Sequence, residues 1–148
     1  MATLSVDRQL CFALYSASRA MTAAYRPILT EMNLTYPQYL VMLVLWEEDR
    51  VTVSRLGERL QLDSGTLSPL LKRLEANGFV RRERSAHDER LVDVTPTAAG
   101  RRLERKARCI PERLFSSTGL TEREVADLRD AVHHLTDALN ASSRKETA

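Results

Sequence analysis

Residues 51–94 read VTVSRLGERLQLDSGTLSPLLKRLEANGFVRRERSAHDERLVDV, and the changes of period within them decide the fold. Val51, Thr52 and Val53 form a short extended stretch; Ser54 to Leu60 follows as a helix, with Leu56 and Leu60 one turn apart. Leu62 to Thr66 makes a tight turn. Leu67, Leu70, Leu71 and Leu74 then trace the buried face of a second helix, stopped at Asn77-Gly78, a pair that favours a left-handed helix end. Two starts fit this helix: Asp63 or Ser64 as cap, with one backbone hydrogen bond lost at Pro69, or Ser68 as cap with Pro69 as first residue. Phe79 to Arg84 and Leu91 to Val94 are β-prone runs around the polar Ser85 to Arg90, which predicts a hairpin with a long, charged tip. Helix, helix and β-wing in that order describe a winged helix-turn-helix with Leu67 to Asn77 as recognition helix. Its leucines face the core. Ser64, Thr66, Ser68, Lys72 and Arg73 remain for double-stranded DNA, with Arg84 adding a cation on the wing.

Outward from this block the periodicity is helical. Leu10, Leu14, Ala17, Met21, Ala24 and Ile28 alternate steps of four and three, a long helix with one apolar seam and Ser5 as its cap. Thr35, Tyr36 and Pro37 start a second helix, whose run Leu40 to Trp46 reads as fully buried and which ends at Glu47, Glu48 and Asp49. Thr97 opens another with Leu103, Ala107, Ile110 and Leu114 on one stripe, bent or interrupted by Pro111. Thr121 and Glu124 form a capping box for a last helix with Val125, Leu128, Val132, Leu135 and Leu139 in three-four spacing, and Ala141 to Ala148 read as frayed. The fold class is therefore mainly α with a small β-wing. Seams of this length exceed what one small core covers, which predicts a homodimer with two recognition helices roughly 34 Å apart, suited to a pseudo-palindromic operator. The division is 1–34 as dimerisation helix, 35–96 as DNA-binding domain and 97–148 as C-terminal dimerisation helices.

Composition narrows the class. The 148 residues, 43% hydrophobic and 28% charged, suit one compact domain or one with a helical appendage, and leave no room for two catalytic domains. Glycine and proline number five each, which excludes disordered and collagenous chains. Leu40 to Trp46 is the longest purely apolar run, far short of the roughly 20 residues that span a bilayer. Asp7 and Arg8 stand where a signal peptide would be apolar, so the reading is cytoplasmic, with no membrane partner. The formal charge is only +2, yet from Ser64 to Arg108 there are 11 Lys or Arg against 6 Asp or Glu, leaving 11 against 14 elsewhere. A basic middle between acidic ends fits a polyanion-binding module. Two cysteines and three histidines without a C-x-x-C build neither a zinc site nor a disulfide framework. His133 and Asp137, four apart, suit a solvated ion pair better than a metal. No P-loop, G-x-G-x-x-G, G-x-S-x-G or H-E-x-x-H is present, so neither cofactor, metal nor conventional enzyme site is expected.

The chain resembles the MarR regulators, and among them the OhrR-type organic hydroperoxide sensors. The carriers are Leu10-Cys11-Phe12-Ala13-Leu14-Tyr15, Leu34-Thr35-Tyr36-Pro37-Gln38-Tyr39, Leu62-Asp63-Ser64-Gly65-Thr66-Leu67 and Asp88-Glu89-Arg90, which together span residues 10–90, over half of the chain. The resemblance implies a repressor that releases its operator when Cys11 is oxidised. It also implies that Tyr25 and Tyr36 of the other subunit donate hydrogen bonds to the Cys11 sulfur, and that Arg90 enters a minor groove with Asp88 orienting it. The residues themselves add one constraint: Cys11, Tyr15, Ser18, Thr22 and Tyr25 share a stripe, but Cys11 and Tyr25 are 14 positions apart, roughly 21 Å along a straight helix. They meet only across a dimer. Phenol hydroxyls that donate to sulfur favour thiolate, the species that attacks a peroxide; with Ser5 as cap, Cys11 lies beyond the first turn and the helix dipole adds little. Cys109 is either a resolving thiol or a buried neighbour of Ile110, and completion of the cycle by a small cellular thiol is favoured. Two rivals use the same chain: a MarR-type repressor released by a small phenolic or amphipathic ligand, and a thiol peroxidase.

Overall fold

The computed structural model describes residues 4–146, which divide after Ile110 into two compact units. Helix starts in the first unit are set by short polar side chains. Thr35 caps α2, Tyr36–Glu48, through a capping box: its hydroxyl accepts from Gln38 N–H at 3.4 Å, and its own N–H donates to Gln38 Oε1 at 2.9 Å. Thr52 caps α3, Val53–Leu60, by accepting from Arg55 N–H. Asp63 caps α4, Ser64–Ala76, by accepting from Thr66 N–H at 2.7 Å, which selects the earlier of the two starts and leaves Pro69 inside the helix. Thr97 caps α5, Ala98–Ala107, on Gly100 N–H.

The first helix begins differently from the Ser5-capped expectation. Ser5 precedes only a 3-10 turn, Val6–Arg8, and makes no capping bond; α1 runs Leu10–Thr30 behind an extended Gln9. Between α2 and α3 the pair Val51–Thr52 is β1, which joins the hairpin as a third strand. The sheet order is β1-β3-β2, all antiparallel, where β2 is Val80–Arg84 and β3 is Val92–Pro96. Val94 faces Val51 on one side and Arg82 on the other.

The core lies where α2 crosses the helix pair and sheet. Val41, Met42, Leu45, Leu56, Leu67, Leu71, Leu74 and Val94 are sealed in it. The run Leu40 to Trp46 is not buried on all sides, because Leu43 is 40% exposed. Gly100 lets α5 approach the wing: its carbonyl accepts from Trp46 Nε1 at 3.0 Å, while Thr97 N–H donates to the Phe79 carbonyl at 3.0 Å.

Pro111 does interrupt the fifth helix. α5 stops at Ala107 and α6 restarts at Ile110–Phe115 after two residues of turn. In the second unit Thr121 and Glu124 close a reciprocal capping box at 2.8 and 3.2 Å on α7, Glu122–Glu146. The segment read as frayed is helical from Ala141 to Glu146; residues 147–148 lie outside the described range. None of the described helices is long and apolar enough to cross a membrane.

Candidate nucleic-acid interface and thiol site

The exposed face of α4 follows from its buried one. Leu67, Leu71 and Leu74 point into the core, so Ser64, Thr66, Ser68, Lys72 and Arg73 are all left exposed. Lys72 and Arg73 make no ion pair within the described residues. Arg73 also lines a cleft of about 340 Å³ with Asn33, Thr35 and Gln38, whereas Lys72 is no part of it. At the helix start the Asp63 carboxyl is held below the usual range by hydrogen bonds from Thr66, first from its backbone and then from its side chain.

The wing tip is built from short hydrogen bonds. Ser85 N–H donates to the Leu91 carbonyl at 2.8 Å and Leu91 N–H to the Asp88 carbonyl at 2.9 Å, closing the loop. Asp88 grips Arg90 at three points: Arg90 N–H and Nε donate to Oδ1 at 3.0 and 3.1 Å, and Nη2 donates to Oδ2 at 3.0 Å. This pairing holds the Asp88 carboxyl below its ordinary range and raises the Arg90 guanidinium. Arg90 remains 89% exposed, so the fork fixes its direction without hiding its charge. Arg84 donates to the Glu89 carbonyl at 3.0 Å.

The second constellation is aromatic. Tyr25 on α1 and Tyr36 at the start of α2 have ring centroids 5.0 Å apart, and Tyr39 joins them at 5.8 Å from Tyr25 and 6.4 Å from Tyr36. Burial, followed by the neighbouring Tyr39 and Tyr36 phenols, pushes Tyr25 up to about 12; burial raises Tyr39 as well. Tyr25 therefore keeps its proton across physiological pH and remains a hydrogen-bond donor.

Cys11 is exposed, and α1 is one unbroken helix between it and Tyr25, so the roughly 21 Å of helix rise stands between them. Its position in the helix differs from expectation. Because α1 starts at Leu10, Cys11 is the second residue of the first turn, where the leading N–H groups lack intrahelical acceptors and negative charge is favoured. Cys109 is not a buried neighbour of Ile110; it is exposed in the turn between α5 and α6, and its thiol donates to the Lys106 carbonyl at 3.1 Å. Along α1 the seam residues Leu10 and Met21 are 60% and 43% exposed, and on α7 Leu128 and Leu139 are each 59% exposed. The described residues contain no cluster of three or more metal-ligating side chains.

Comparison with known proteins gives these features a family. The model of the transcriptional regulator family SarA/Rot matches residues 23–106. The HTH-type transcriptional regulator TtmR of Methylorubrum extorquens is 52% identical over 93% of this chain and 70% of the relative. The organic hydroperoxide resistance transcriptional regulator of Bacillus subtilis is 43% identical over 93% of both chains. The chain belongs to the SarA/Rot family of transcriptional regulators. AbfR of Staphylococcus epidermidis, solved in reduced form on DNA, is 36% identical, with a TM-score of 0.77 over 92% of this chain and 93% of the other. AbfR was also solved in a disulfide form, 38% identical with a TM-score of 0.62 over 88% of this chain and 92% of the other.

As a member of that family the protein is a DNA-binding transcriptional regulator, and its relatives are regulators, not enzymes. Two features of this regulator escape sequence reasoning. Tyr39 completes the aromatic cluster; its three-residue spacing from Tyr36 was the available signal. Glu75 and Arg82 form a fork between α4 and β2 that no local periodicity announces.

Proposed function

We propose that the regulator is a homodimeric repressor that senses organic hydroperoxides through Cys11 and then releases a pseudo-palindromic operator. The carrying observation is the tyrosine cluster: Tyr25, a permanent donor, sits with Tyr36 on the chain that holds Cys11, yet a helix length away from it. A second chain docked on the exposed α1 seam would bring Cys11 of one subunit to the tyrosines of the other. Residues 1–34 and 97–148 then supply the dimer and 35–96 the DNA head, an assignment favoured by the uncovered apolar positions on α1 and α7.

The chemistry balances simply. The Cys11 thiolate attacks the terminal peroxide oxygen; an S–O bond forms, the O–O bond breaks, and the alkoxide leaves as an alcohol after taking a proton. A small cellular thiol condenses with the sulfenic acid, forming a disulfide and releasing water. Cys109, whose thiol is engaged with Lys106, is the less favoured resolving group. Ser64, Thr66, Ser68, Lys72 and Arg73 contact the major groove and its phosphates. Arg90, aimed by Asp88 with Arg84 beside it, enters the minor groove. The B. subtilis relative's name supports the oxidant class, and the disulfide form of AbfR supports thiol chemistry.

Fluorescence anisotropy on DNA from upstream of the protein's own coding sequence tests this reading. Binding that an organic hydroperoxide plus a small thiol abolishes in wild type but not in Cys11→Ser is the expected result. Binding indifferent to oxidant in both would favour a small-ligand inducer, and steady peroxide consumption without DNA binding would favour a peroxidase.

A further inference from the structure

We propose that Glu75 and Arg82 are positioning residues that clamp the wing to the recognition helix, so that α4 and Arg90 meet the duplex as one rigid unit. Glu75 sits in the last turn of α4 and Arg82 in the middle of β2, joined by a turn that passes through Gly78 at φ 78°. Three bonds link them. Arg82 N–H donates to Glu75 Oε1 at 3.0 Å, and Arg82 Nε and Nη2 donate to Oε2 at 3.0 and 2.8 Å. Because one donor is the strand's own main chain, the fork fixes the backbone of β2 against the helix, and not merely one side chain against another.

The fork continues outward. Val80, Arg82 and Arg84 alternate onto one face of β2, and Val80 is buried, so this face looks toward the core. Arg84, about 7 Å further along at roughly 3.3 Å per residue, donates to the Glu89 carbonyl, and the next residue, Arg90, is held by Asp88. Three separate charge-assisted contacts, Glu75–Arg82, Arg84 to the Glu89 carbonyl and Asp88–Arg90, thus lie along β2 between the last turn of α4 and the wing tip.

The bland account of such a pair is a surface salt bridge. With side-chain exposures of 38% and 31%, Glu75 and Arg82 are indeed wet enough that their pairing adds little to stability. That is why the effect belongs in DNA binding: a preorganised wing loses less freedom when it docks. Charge argues the opposite way. Removing the Glu75 carboxylate makes the DNA face more positive and by field alone would tighten binding to any duplex.

The clamp rests on the proposed minor-groove role of Arg90, and the test separates the two. Affinities are measured for wild type, Glu75→Gln, Arg82→Lys, Arg90→Ala and the Glu75→Gln/Arg90→Ala double variant. Each is read on the upstream duplex and on a scrambled duplex, beside thermal melts. We expect Glu75→Gln to melt with wild type, to lose about tenfold on the upstream duplex, and to keep or gain affinity on the scrambled one. Arg82→Lys, which keeps the charge without the fork, loses affinity in the same selective way. In the Glu75→Gln background, Arg90→Ala costs little more. Undiminished upstream affinity in both clamp variants, equal loss on both duplexes, or an Arg90→Ala loss that simply adds to that of Glu75→Gln would overturn the clamp alone. Arg90→Ala indistinguishable from wild type would overturn the wing contact, and the clamp with it.

Discussion

Replacing Gly100 by alanine sets two physical effects against each other. By helix propensity alone the substitution in α5 should stabilise by about 1 kcal/mol, because alanine loses less backbone freedom than glycine. The surroundings say otherwise. A methyl at Gly100 would press on the Phe79 carbonyl oxygen, well inside contact distance, and would lie 3.1 Å from the Phe79 carbonyl carbon and 3.2 Å from Met42 Cε. The helix cannot simply back away, since Gly100 accepts from Trp46 Nε1, Thr97 donates to Phe79, and Gly100 N–H donates to the Thr97 cap. Overpacking costs about 1–3 kcal/mol, and each hydrogen bond stretched to relieve it adds about 1 kcal/mol. With one such bond stretched, the net expectation is destabilisation by about 1–3 kcal/mol once the propensity gain is taken off. Urea unfolding followed by far-ultraviolet circular dichroism reads this directly: the midpoint should fall at unchanged m-value. A midpoint equal to or above that of wild type would refute the close approach of α5 to the Phe79 turn, and with it the packing that seats the wing.

Three further outcomes follow from the sites. Tyr36→Phe keeps the ring beside Tyr25 but removes one donor; loss of a hydrogen bond to a charged acceptor, about 1.5–3 kcal/mol, should slow peroxide oxidation of the thiol by about tenfold to a hundredfold while operator affinity stays intact. Unchanged thiol kinetics would leave Tyr36 as packing. Lys72→Ala should weaken binding on all duplexes and reduce the salt slope by about one, whereas Arg90→Ala should lose most affinity where the flanking minor groove is narrow; a flat salt response in both would remove them from the interface. For pH, the raised Tyr25 phenol means the folded state holds its proton more tightly than the unfolded chain does, so this contribution to stability is intact below pH 10 and lost as the pH climbs through about 12. A melting temperature that falls between pH 7 and 9 with a tyrosinate absorbance change would contradict the buried cluster.

How much of this was legible depended on whether the signal was local. The caps at Thr35, Thr97 and Thr121 were readable because a cap and its partner lie three residues apart, and the break before Pro111 because proline states its own geometry. The two-residue β1 was read only as extended; its membership in the sheet depends on Val94, 43 positions later, which no period encodes. The late start of α1 was missed because Ser5 is a good cap residue by type, yet it bonds nothing, and the chain takes a 3-10 turn before Gln9. Leu43 was read as core because it sits inside an apolar run, although its helical phase sets it opposite Met42 and Leu45. Within the site, the family resemblance singled out Tyr25 and Tyr36, spacing added only that Tyr25 shares a stripe with Cys11 at a distance one chain cannot bridge, and Glu75 with Arg82 were identified by neither.

The placement of Tyr36 also constrains how a signal from Cys11 would reach DNA. Tyr36 is the first residue of α2, directly after the Thr35 cap that anchors that helix. α2 packs against α1, α3, α4, α5 and β3, and its inner residues Val41, Met42 and Leu45 are fully enclosed. A close-packed helix of this kind does not deform residue by residue; it shifts as a body or stays in place. In the proposed dimer, an oxygen added to the partner's Cys11 would therefore act either on the whole head, α3, α4 and wing together, or only on an α1 seam between the two chains. Glu75→Gln distinguishes these routes: with the wing unclamped, a head-borne signal would release the two DNA contacts separately and blunt the switch, whereas a change in spacing would release them together as in wild type.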